Sequence, residues 1–107
     1  MPRNYKKMPK LWRLKELFKI SEEYPTGLEW LINKAGYKKG DCAGKINTSN
    51  GYYFVSIDNE SYMAHRIVYY LRTEKCPDNY SVIHSFSNKL KDNRLELKPA
   101  FYNYVKN

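Results

Sequence analysis

At Ala64 the hydrophobic period of this chain changes, and the change dictates a strand pair that runs straight into a helix. Upstream, Tyr53, Val55 and Ile57 alternate with Tyr52, Phe54 and Ser56. A repeat of two places each set on its own face of a strand. Asp58-Asn59-Glu60 reads as the hairpin turn, although it lacks the usual glycine, and residues 61–64 as the return strand. Downstream, Ala64, Ile67, Val68 and Leu71 recur at the spacing that lines one face of a helix. Pro77 must end that helix, because proline has no N–H to donate and its ring clashes with the preceding turn.

The other elements are shorter. Leu11, Leu14, Leu17 and Phe18 predict a helix over residues 10–20. Residues 23–27, Glu-Tyr-Pro-Thr-Gly, carry turn chemistry. Residues 28–32 read as a strand with Trp30 in the core, and residues 33–50 as loop around an extended piece at 43–46. Ser81-Val82-Ile83 is a short extended run. A polar loop then leads to Asp92 or Asn93 as a helix N-cap, with Glu96 at capping-box spacing from Asn93. The expected class is α+β. A basic arm over residues 1–9 precedes one small domain over residues 10–107.

Charge narrows the partners. The chain carries 19 Lys and Arg against 11 Asp and Glu, a net charge of +8. Each cation set against a phosphate releases a condensed counterion, so an anionic polymer is the expected partner. Tyrosine supplies 11 of the aromatics and suits both cores and wet binding surfaces. No segment approaches the roughly 20 apolar residues of a membrane-spanning helix, and no signal peptide is visible. No membrane partner is expected. Cys42 and Cys76 form no CxxC pair and no zinc-ligand set. Reduced thiols in an intracellular protein are the expectation, with a disulfide as the alternative.

From Tyr24 onward the motifs resemble a family. Pro25-Thr26-Gly27-Leu28-Glu29-Trp30, Gly40-Asp41-Cys42-Ala43-Gly44, Gly51-Tyr52-Tyr53-Phe54-Val55-Ser56-Ile57 and Ala64-His65-Arg66 follow in order. Then come Pro77-Asp78-Asn79-Tyr80-Ser81-Val82-Ile83-His84, Asn88, and Asp92-Asn93-Arg94-Leu95-Glu96-Leu97. Together they are similar to short phage-type HNH homing endonucleases over residues 11–98. The resemblance implies a C-terminal unit of two strands and a helix that cuts DNA with a divalent cation, usually magnesium. It makes His84 the general base and gives Asn88 the task of holding the loop that orients it. It also implies a basic DNA-facing surface: Lys89, Lys91, Asn93, Arg94 and Lys98, with Arg66, the hairpin around residues 45–53, and arm residues Arg3, Lys6, Lys7 and Lys10.

The departures bear on the metal. Ile83 stands where the family has a metal-binding aspartate, and Leu97 follows Glu96 directly where an asparagine is expected. Ser87 replaces a glycine, and Leu90 and Lys91 are additional before Asp92. Magnesium takes oxygen ligands, so Glu96 and Asp92 are the candidates left to hold it. Three expectations follow. The first is a DNA-binding protein with lost or weak cleavage and no cofactor. The second is a magnesium-dependent nickase or endonuclease. The third is a scaffold recruited to RNA, a ribonucleoprotein or a protein partner, such as a phage-encoded inhibitor.

Overall fold

The computed structural model describes residues 7–100 except 35 and 86. Two helices and seven strands follow in the order α1 (Leu11–Leu17), β1 (Phe18–Ile20), β2 (Leu28–Trp30), β3 (Lys45–Ile46), β4 (Tyr53–Ile57), β5 (Glu60–Met63), α2 (Ala64–Thr73), β6 (Val82–His84) and β7 (Leu97–Pro99). The strands form three antiparallel sheets, β1-β2, β3-β4-β5 and β6-β7. The class is α+β. Helix α2 touches α1 and all three sheets, so it is the hub on which the separate hairpins assemble.

The period change acts as the chemistry requires. Asp58 and Asn59 take φ of 50° and 67°, which makes a two-residue turn that pairs Ile57 with Glu60. Asp and Asn tolerate this left-handed region, so no glycine is needed. Strand β5 passes directly into α2 at Ala64. The helix stops at Thr73, well before Pro77, on a left-handed Glu74 whose N–H donates to the Tyr70 carbonyl. Val55, Ile57, Ala64, Ile67 and Val68 join Leu14, Leu17, Phe18, Leu28, Trp30 and Ala43 in one buried core.

Two expected helices are corrected. The first, predicted over residues 10–20, ends at Leu17, and Phe18 turns extended at φ −135°. Pairing explains this: Phe18 and Ile20 lie opposite Trp30 and Leu28, and the Phe18 and Trp30 rings meet at 4.7 Å. A seven-residue helix has little cooperative stability to set against that burial. The second, predicted from Asp92 or Asn93, does not form there. Residues 97–99 are β7 instead, in register with β6 as Val82↔Pro99, Ile83↔Lys98 and His84↔Leu97. A helix after β7 would lie in residues 101–107, outside the described residues. Of the predicted arm, residues 1–6 also lie outside them. Met8 packs on the core and its N–H donates to Asp78 Oδ1 at 2.8 Å, so the folded body begins before residue 10.

Gly27 lets the turn at residues 25–27 approach both α2 and the β6-β7 loop. Its φ is +76°, and a Cβ there would sit 3.0 Å from Val68 Cγ2 and 3.1 Å from Asn93 Cβ. Gly27→Ala is expected to destabilise the fold by about 2 kcal/mol, from left-handed strain plus overpacking. Urea unfolding measures this, and a loss below about 0.5 kcal/mol would contradict it.

Candidate functional site

The site forms where β6, the first turn of α2 and the loop before β7 meet. His84 closes β6 and is half-buried. Its Nε2 lies 2.6 Å from Asn93 Oδ1. The Asn93 amide cannot flip, because its Nδ2 donates to the Thr26 carbonyl at 3.0 Å. Oδ1 therefore faces the imidazole as an acceptor, which places the proton of neutral His84 on Nε2 and the lone pair on Nδ1. Asn93 is itself only 1% exposed, and its backbone N–H donates to the Pro25 carbonyl at 2.8 Å. One buried amide thus ties the first turn of the domain to the imidazole.

A second imidazole lies beneath. His65, in the first turn of α2, is buried, and its ring centroid is 4.8 Å from that of His84. Tyr52 covers both rings at 5.4 and 5.8 Å, and Lys91 Nζ rests 5.3 Å from the Tyr52 centroid. Burial, with His84 and Arg66 nearby, pushes the His65 pKa down to about 3. Its Nδ1 is buried without a hydrogen-bond partner among the described residues. Burial also lowers the pKa of His84, against the opposing pull of Asn93. Both shifts favour the neutral ring.

Asn88, buried, closes the loop around Asp92: its Nδ2 donates to the Asp92 carbonyl at 2.8 Å, and its Oδ1 accepts from the Asp92 N–H at 3.0 Å. The Asp92 carboxylate meets Arg94 in a fork, with Nε to Oδ1 at 3.0 Å and Nη2 to Oδ2 at 2.7 Å. That guanidinium holds the Asp92 carboxyl below the usual carboxylate range. The Glu96 side chain is 68% exposed and lies 4.0 Å from Lys98 Nζ. Ile83 offers no donor atom. These groups do not fit a magnesium ion beside His84: both Asp92 oxygens already serve Arg94, and Glu96 stands in solvent. Among the described residues, no three His, Cys, Asp or Glu side chains converge as a ligand set.

The predicted DNA-facing residues divide. Lys7 and Lys89 are exposed, and Lys91, Arg94 and Lys98 are partly exposed. Arg3 and Lys6 lie outside the described residues. Two placements correct the expectation. Asn93 faces inward, as above. Arg66 is 9% exposed, and its guanidinium donates to the Tyr80 and Pro77 carbonyls. It fastens the segment before β6 to α2 and does not present itself to a phosphate. Arg72, which the sequence reading passed over, has a similar task. It donates to the Asn93, Arg94 and Leu95 carbonyls at 2.9–3.0 Å and holds the turn that carries Asn93. Nothing in the sequence separates it from an ordinary surface cation on a helix. Cys42 and Cys76 are both free.

Comparison with protein-family models, curated proteins and solved structures finds no match to this chain.

Proposed function

We propose that this protein binds double-stranded DNA through the β6-β7 hairpin and its loop, on an HNH-like scaffold that does not hold a catalytic metal. One observation carries the reading. The Asp92 carboxylate, whose charge bears on His84, is paired with Arg94, while Lys91 lies over Tyr52 beside the two imidazoles. The local field is therefore positive, in keeping with the net charge of +8. Hydrolysis of a phosphodiester also needs something to neutralise the charge building on phosphorus, and that electrostatic contribution is usually the largest. A base alone does not supply it.

A second reading, a metal-dependent nickase, has one point in its favour. Burial favours the neutral form of His84, and Asn93 fixes its Nε2 edge, which suits a general base. Magnesium, if recruited, would supply Lewis-acid stabilisation of the phosphate, but the donors that the scaffold offers do not fit it.

The binding reading is tested by fluorescence anisotropy on a short labelled duplex across salt. With about four phosphate contacts, affinity is expected to fall about a hundredfold between roughly 50 and 200 mM salt. The combined Lys89→Ala and Lys91→Ala variant is expected to reduce the salt slope by about two. A protein that ignores duplex DNA at low salt overturns the proposal.

A further inference from the structure

We propose that Leu90 is a wedge that enters the base stack of bound DNA, an inference that rests on the DNA-binding reading above. Leu90 is 81% exposed, more than Trp12 at 64%, Leu95 at 52% or Ile46 at 48%. Single exposed leucines are common on protein surfaces and require no role of their own. Three further observations set this one apart.

The first is the loop that carries it. Asn88 grips Asp92 through two hydrogen bonds, and the Lys91 N–H donates back to the Asn88 carbonyl at 3.2 Å. Lys91 takes a left-handed φ of 55°. A lysine is rarely found in that region unless the surroundings hold it there. The closed loop leaves Lys89 and Leu90 at its tip, both exposed. A tip whose backbone is already closed by hydrogen bonds has less conformational entropy to lose on insertion.

The second is the charge around the tip. Lys89 and Lys91 flank Leu90 directly, and Lys89 is exposed. Proteins that bend DNA through the minor groove combine an apolar wedge between base pairs with cations that settle on the adjoining phosphates. A protein partner with an apolar pocket would not require a lysine on each side.

The third is location. Lys91 rests on Tyr52, which covers both imidazoles, so the tip stands beside the phosphate-facing surface already assigned. A wedge of this kind enters most easily at steps that unstack readily, which are pyrimidine–purine steps such as TA and CA.

The test uses short duplexes carrying 2-aminopurine beside a central TA step, titrated with wild-type protein, Leu90→Ala and Leu90→Met. Wild type is expected to raise the 2-aminopurine emission about twofold or more as the base unstacks. Leu90→Met keeps the rise. Leu90→Ala loses it and binds about tenfold more weakly, with the salt slope unchanged, because truncation leaves the phosphate contacts in place. Substitution at so exposed a position leaves the fold intact, which a thermal melt checks. Salt-dependent binding with emission and affinity unaltered in Leu90→Ala overturns the wedge and leaves DNA binding standing. Failure of the wild type to bind the duplex at low salt overturns both.

Discussion

Replacing Asn93 with alanine is expected to destabilise the fold by about 3 kcal/mol, a large effect for one polar side chain. The expectation follows from what its amide connects. Nδ2 serves the Thr26 carbonyl and Oδ1 serves His84 Nε2, and Asn93 is almost wholly buried. Alanine removes both partners at once. A buried donor or acceptor left unmade costs roughly 1–3 kcal/mol, and two are created here. The backbone bond from the Asn93 N–H to Pro25 survives the change, so the loop does not detach. Urea unfolding gives the loss, with exposed Leu95→Ala as a control within about 0.5 kcal/mol of wild type. Asn93→Asp separates positioning from packing. A carboxylate there accepts from His84 but cannot donate to Thr26, so the His84 pKa should rise above its wild-type value in an NMR titration. A loss below about 1 kcal/mol in Asn93→Ala would remove this residue from the centre of the account.

Acid is expected to weaken the protein through His65. The His65 pKa in the fold is about 3 against an ordinary 6.5, so the unfolded chain takes up the proton first. The stabilisation is complete above the unfolded value and is lost as pH falls through the window between the two. Each unit within that window removes about 1.4 kcal/mol, which amounts to about 3 kcal/mol by roughly pH 4. His84 contributes in the same direction, because its folded value is also lowered. Asp92 adds a loss at still lower pH, where Arg94 no longer keeps its carboxyl ionised. Burial is the main cost of a charged His65, and repulsion from His84, Arg66 and Lys91 adds to it. In His65→Phe the slope between about pH 6.5 and 4 should shrink to the part His84 supplies. Denaturant melts at several pH values read this directly. A flat stability profile down to about pH 4, or an undiminished slope in the variant, would contradict it.

What the sequence made legible was local. The alternation at Tyr53, Val55 and Ile57 and the helical spacing from Ala64 depend on near neighbours, and both elements form where the periods place them. What stayed hidden depends on partners far along the chain. Phe18 continues the helical pattern of Leu11, Leu14 and Leu17, yet it leaves the helix for Trp30 in β2. Asn93 and Glu96 have the spacing of a capping box, but Thr26 and His84 claim the Asn93 amide first, and β7 claims the residues that follow. Asp92 and Arg94 are two positions apart, which in a helix would keep them from meeting. Only in the irregular loop do they form the fork that pairs the Asp92 carboxylate with the Arg94 guanidinium. Arg66 reads as a DNA-facing cation and Arg72 draws no reading of its own, because the carbonyls they serve belong to loops whose paths the sequence does not reveal.

The central claim is that the scaffold grips DNA beside an imidazole that lacks a metal. Supercoiled plasmid incubated with the protein in magnesium and then in manganese, alongside His84→Ala, tests it most directly. The account predicts plasmid retarded by the wild-type protein yet still supercoiled after protein removal, with His84→Ala indistinguishable from wild type. Metal-dependent conversion to open circles, abolished by His84→Ala, would contradict it.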